Sequence, residues 1–200
     1  MDLHEFDMQY YGEYPLLCGM DEAGRGPLAG PVVAAAVVLT EAQREDLVGL
    51  GLRDSKKMTP PRREKVFARM LELNVVWRAA SAPAERIDRL NILRATLWAM
   101  RRAVEKLPLD VDGVIVDGNQ EIPGLSVYQQ AIIGGDDIYP QISAASVVAK
   151  VLRDRVMTVY DGIYPDYGFA RHKGYGTEAH RRAIAELGPT PIHRRSFSWE

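Results

Sequence analysis

The sequence predicts an α/β fold: a mixed five-stranded sheet flanked by helices. Three observations carry that reading. Five short apolar runs have strand character, and helical periodicity fills most of the chain between them. Some of the runs are joined by turns short enough to require antiparallel pairing, so the sheet is mixed. A chain of 200 residues can bury a sizeable core, so a single domain over 1–200 is expected, with 1–14 as a poorly ordered N-terminal segment.

Residues 16–20 and 32–39 read as buried strands joined by a glycine-rich turn, and 75–81 reads as a third. Helices are expected over 41–49 and 59–73, the second opened by Thr59 as cap with Pro60 in its first turn. The clearest helix spans 88–107, where Leu90, Leu93, Leu97, Met100, Val104 and Leu107 recur at three and four residues. Short strands follow at 114–116 and 131–133, then a long helix over 141–160. The tail from 161 is richer in Gly, Pro, Tyr and basic residues and holds a helix near 177–187.

Composition narrows the class. Hydrophobic content of 46% and charged content of 26% are ordinary for a soluble globular chain. The one cysteine, Cys18, excludes an internal disulfide and a multi-cysteine zinc site, and it fits a reducing cytosol. The first residues are acidic and polar, so no leader peptide is expected. No apolar stretch approaches the roughly 20 residues of a membrane span. A cytoplasmic protein is therefore expected. Net charge is −2, which counts mildly against nucleic acid as partner. Two basic clusters offset it, one from Arg53 to Arg69 and one from Arg171 to Arg195. Each also suits an ordinary solvated face.

The candidate chemistry lies where apolar runs finish. Three runs end in carboxylates: Asp21-Glu22, Asp117 and Asp136-Asp137. One such acid is usually a turn former. Three in one sheet can converge on a cation from positions over a hundred residues apart. Oxygen-only ligands favour Mg²⁺ or Mn²⁺ over zinc. Four carboxylates suit two ions about 3.5–4 Å apart flanking a transferred phosphate. The glycines after Asp21-Glu22 let main chain approach a phosphate closely. In the helix over 141–160, Ser143, Ser146, Lys150 and Asp154 share one side among small apolar residues. That stripe reads as support for the acids, or as a solvent-facing side. His172, His180 and His193 show no zinc spacing, and His172 reads as a solvated loop residue or a contact to nucleic acid.

Asp21-Glu22-Ala23-Gly24-Arg25-Gly26-Pro27-Leu28-Ala29-Gly30-Pro31 resembles the signature of the ribonuclease HII family. Asp54-Ser55-Lys56-Lys57, Asp117-Gly118-Asn119, Gly135-Asp136 and Ile142-Ser143-Ala144-Ala145-Ser146 continue the likeness. His172-Lys173-Gly174-Tyr175-Gly176-Thr177 and His193-Arg194-Arg195-Ser196-Phe197 complete it in family order. The resemblance implies a ribonuclease H-like fold with a helical C-terminal extension. It implies cleavage of RNA in RNA–DNA hybrids and incision at single ribonucleotides in duplex DNA, leaving 3′-hydroxyl and 5′-phosphate ends. A monomer serving ribonucleotide removal and primer processing, with Mn²⁺ or Mg²⁺, is expected.

The same resemblance maps the metal-binding acids onto Asp21, Glu22, Asp117 and Asp136, the last chosen over Asp137 because it directly follows a glycine. It places Gly24, Arg25, Gly26 and Tyr175 at the RNA–DNA junction, where main-chain groups can reach a 2′-hydroxyl. Lys56, Ser146, Lys150 and Lys173 join them as candidate substrate contacts, with Ser143 and Asp154 supporting the acids from behind. Two alternatives stay open at this level. One is a junction resolvase or integrase-like nuclease without a ribose sensor. The other is a hybrid-binding module without turnover.

Overall fold

The computed structural model describes residues 14–52 and 58–199. The expected Asp54-Ser55-Lys56-Lys57 segment, Lys56 included, and all but Tyr14 of the expected N-terminal segment lie outside the described residues.

The sheet is five-stranded and mixed, as predicted. Its strands are β1 (Leu17–Ala23), β2 (Val32–Val38), β3 (Val76–Ala82), β4 (Gly113–Asp117) and β5 (Tyr128–Ile132), in the order β3-β2-β1-β4-β5. β1 and β3 flank β2 antiparallel, while β1, β4 and β5 run parallel. The helices are α1 (Glu41–Gly49), α2 (Pro60–Glu72), α3 (Ala84–Leu90), α4 (Ile92–Glu105), α5 (Pro140–Ile163), α6 (Phe169–His172) and α7 (Glu178–Leu187).

Both faces of the sheet are covered, which is why every residue of β2 is buried. Cys18 and Met20 face α3 and α4 through Ile87, Ala95, Ala99 and Met100. Ala35 and Val37 face α1, α2 and α5 through Leu47, Phe67, Met70 and Ala145. Burial pushes the Cys18 thiol up to about 12, so it behaves as a small apolar core residue. Among the described residues no helix is long and apolar enough to cross a membrane.

Two elements away from the acids differ from expectation. The helix predicted over 88–107 is two helices broken at Asn91, whose φ is +69°. Asn91 tolerates that left-handed backbone, and its side chain accepts from the Arg94 N–H to cap α4 at 3.0 Å. The apolar stripe hides the break, because side chains on both helices reach the same core. The last strand lies at 128–132 rather than 131–133, and Ile133 is 80% exposed. β5 is an edge strand held by main-chain pairing with β4, so Gln129 and Gln130 serve where an apolar run was sought.

α5 reaches its position because β1 has no side chain at Gly19. A Cβ there would collide with the main chain of Gln141. The close approach brings the first turns of α5 beneath the end of β1 that carries Asp21.

Candidate active site

Strand register assembles the acids. Met20 on β1 pairs with Val116 on parallel β4, so the next residues, Asp21 and Asp117, stand side by side. Asp117 pairs with Ile132 on β5, after which the chain turns at Gly134 into a single 3₁₀ turn, Gly135–Asp137. The Gly135 N–H donates to Oδ1 of Asp117 at 2.8 Å and fixes that turn. One carboxylate oxygen from each of Asp21, Asp117 and Asp136 then lies within 4.8 Å of the others.

β1 continues through Ala23, so Asp21 and Glu22 lie within the strand rather than ending it. Successive strand residues point to opposite faces, and Glu22 is not in the 4.8 Å group. Its Oε1 instead accepts from Nη1 of Arg25 at 3.3 Å. The expected convergence therefore holds for three acids, with Glu22 flanking them. Asp136 is 1% exposed and faces the group, while Asp137 is exposed.

The charges are under strain. Asp21 is 5% exposed, and its carboxyl is pushed up to about 8 by burial first and by the charges of Glu22 and Asp117. A hydrogen bond from the Ser146 hydroxyl and one from the Glu22 N–H, 2.7 Å from Oδ1, act in the opposite direction. Burial also raises Glu22, against the pull of Arg25. Three hard oxygen donors at this spacing, ionised only at a cost, fit a divalent cation and favour Mg²⁺ or Mn²⁺ over zinc.

The supporting stripe on α5 divides. Ser146 is buried and bonds Asp21. Ser143 is also buried and close to the sheet, and its hydroxyl has no hydrogen-bond partner among the described residues. Lys150 is half-buried one turn past Ser146. Asp154 lies a further turn along, about 12 Å from Ser146 at 1.5 Å per residue. It pairs with Arg63 of α2 at 3.4 Å, so it does not stand behind the acids as expected. Lys173 extends this polar surface, donating to Thr158 Oγ1 at 3.1 Å.

The glycine turn and Tyr175 do come together. A methyl group at Gly26 would lie 3.8 Å from the Tyr175 ring, which is 52% exposed. The Leu28 N–H donates to the Gly174 carbonyl at 2.8 Å and ties the two segments. Arg25 and Gly26 are exposed, while Gly24 is buried.

Sequence reasoning missed what lies behind this surface. Arg153 and Arg194 are buried and donate to main-chain carbonyls of the glycine turn. The three histidines gather around Phe169, with His180 and His193 buried. The Thr190 N–H donates to Nδ1 of His193 at 2.9 Å, so His193 carries its proton on Nε2. That proton meets Nε2 of His180 at 3.0 Å, and Nδ1–H of His180 donates to the Tyr175 carbonyl at 2.9 Å. A signal existed in the Gly-rich spacing of this tail, but no local pattern pairs His180 with His193.

A mixed sheet carrying buried carboxylates at the shared end of its central parallel strands defines a class, the metal-dependent phosphodiester-cleaving enzymes. The ribonuclease HII family model matches residues 18–199. A ribonuclease HII from Polaromonas sp. strain JS666 is 55% identical over 183 residues, covering 92% of this chain and 89% of its own. One from Coxiella burnetii is 52% identical over 182 residues, covering 91% and 88%. The crystal structure of ribonuclease H2 from Pyrococcus horikoshii OT3 superposes with a TM-score of 0.76 at 27% identity, covering 92% of this chain and 94% of that one. The chain belongs to the ribonuclease HII family and is a metal-dependent endoribonuclease with ribonuclease H activity on RNA–DNA hybrids.

Proposed function

We propose that the protein incises at single ribonucleotides embedded in duplex DNA as well as within hybrids, by two-metal-ion hydrolysis leaving 3′-hydroxyl and 5′-phosphate ends. The observation carrying this reading is the meeting of Asp21, Asp117 and Asp136 oxygens within 4.8 Å. Glu22, which flanks them, would be the fourth ligand. These carboxylates would hold divalent ions, which would supply an acidified water and charge neutralisation at the leaving oxygen. No side chain acts as a covalent nucleophile.

The chain's own groups orient the substrate. Asp21 is held for ligation by the Ser146 hydroxyl, and Asp117 by the Gly135 N–H. The main chain of Gly24, Arg25 and Gly26 meets the ribose 2′-hydroxyl, and the exposed Tyr175 ring stacks on the junction. Lys150 and Lys173 lie on the same side and attract phosphates. A single-domain cytoplasmic monomer acting in ribonucleotide removal and primer processing fits this chemistry. Cleavage of a duplex with one ribonucleotide, with Mg²⁺, Mn²⁺ or chelator and with both ends mapped, tests the reading. Cutting that persists in excess chelator, or equal cutting of an all-DNA duplex, rejects it.

A further inference from the structure

Arg194 is wholly buried, yet none of the ion pairs among the described residues involves it or Arg153. Its guanidinium is satisfied by three main-chain carbonyls. Nη2 donates to Gly24 at 2.5 Å, Nη1 to Arg25 at 2.8 Å and Nε to Gly30 at 3.0 Å. Its own N–H donates to Leu28 at 2.8 Å, so the C-terminal segment encircles the turn from inside.

Those contacts dictate where the turn's donors point. The described residues contain no cis peptide, and in a trans peptide the carbonyl of one residue opposes the N–H of the next. Gly24 and Arg25 carbonyls pulled inward send the N–H groups of Arg25 and Gly26 outward, at the two exposed residues of the turn. Neither N–H makes a hydrogen bond within the described protein. A cation on each carbonyl also polarises the peptide and strengthens its N–H as a donor.

We propose that Arg194 is a positioning residue for ribose selection, aiming the Arg25 and Gly26 N–H groups as a paired donor for the 2′-hydroxyl oxygen of the ribonucleotide. The inference rests on the reading that the glycine turn meets the ribose. Arginine is required because a lysine ammonium on a flexible stem cannot hold three carbonyls in a fixed fork. Arg153 offers an internal control. It binds the carbonyls of Pro31, Ala29 and Lys173, none of which precedes the Arg25 or Gly26 N–H.

The test measures binding of the full chain, with chelator blocking cleavage, to a duplex carrying one ribonucleotide and to its all-deoxy twin. Arg194→Lys should lose about tenfold of the preference for the ribose, the worth of one good hydrogen bond. Affinity for the all-deoxy duplex, set by phosphate contacts, should stay within about twofold. Arg153→Lys, which loosens Ala29, Pro31 and the Tyr175 ring but not the Gly24 and Arg25 carbonyls, should lose less of the preference than Arg194→Lys. A folded Arg194→Lys chain that discriminates like wild type overturns the inference alone, as does equal loss in Arg153→Lys. A wild-type chain with no ribose preference overturns the reading of the turn and this inference with it. If Arg194→Lys does not fold, amide exchange in the wild type decides. The Arg25 and Gly26 amides should slow with the ribonucleotide duplex and not with its twin, and equal exchange in both overturns the proposal.

Discussion

The Gly135 N–H donates to Oδ1 of Asp117 across 2.8 Å, fastening the turn that bears Asp136 to the strand that bears Asp117. Eighteen residues separate the two partners, and the bond makes one acid the anchor of another. The same carboxylate that raises Asp21 by its charge therefore also organises the far side of the group.

Asp117→Asn keeps the size of the side chain and an oxygen for the Gly135 N–H, but removes the charge. Hybrid cleavage should fall about 100-fold or more, while circular dichroism stays unchanged. Near-wild-type turnover in this variant would remove the acid group from the chemistry.

Divalent ions should stabilise the folded chain by mass action, because the unfolded chain does not hold the three carboxylates together. At one hundred times its dissociation constant an ion contributes about 2.7 kcal/mol, read as a rise in melting temperature with Mg²⁺ or Mn²⁺. Asp21→Asn should blunt that rise and melt higher than wild type in chelator, since it removes the buried charge that the native state disfavours. Identical ion responses in the two proteins contradict the site.

His193 gives a separate pH effect. Burial, then the charge of His180, pushes its pKa down to about 4 from an ordinary 6.5. The unfolded chain binds the extra proton more readily, so this stability is present above about 6.5 and is lost as pH falls toward 4. The loss reaches about 3 kcal/mol. Urea melts of wild type and His193→Asn should differ at pH 7.5 and converge on acidification. Raised carboxyls such as Asp21 act with the opposite sign, so the difference between the proteins is the relevant quantity. A gap that stays constant with pH argues against a neutral His193.

Gly19→Ala should damage the site from a distance. Its methyl group meets the Gln141 main chain, so α5 must move off β1 and carry Ser146 away from Asp21. A cost of about 1–3 kcal/mol in chemical melts is expected, with a larger proportional loss in cleavage than in binding. A variant as stable and active as wild type shows that α5 is free to shift without consequence.

Local chemistry carried far in the amino-acid sequence. Apolar runs and glycine turns announced most strands, most helices and all three acids that gather, because each signal lies within a few neighbouring residues. The same locality explains the misses. The 88–107 stripe concealed the break at Asn91, since two helices can feed one core. The edge strand lay beside its apolar trio, since main-chain pairing is blind to side-chain polarity.

Only the packed chain decided the rest. Parallel register between β1 and β4 set Asp21 beside Asp117, with Glu22 flanking the 4.8 Å group. The bond from Arg194 to Gly24 spans 170 residues, and His180 meets His193 in the interior. No periodicity encodes such contacts, because a buried donor takes whichever acceptor the folded backbone presents to it.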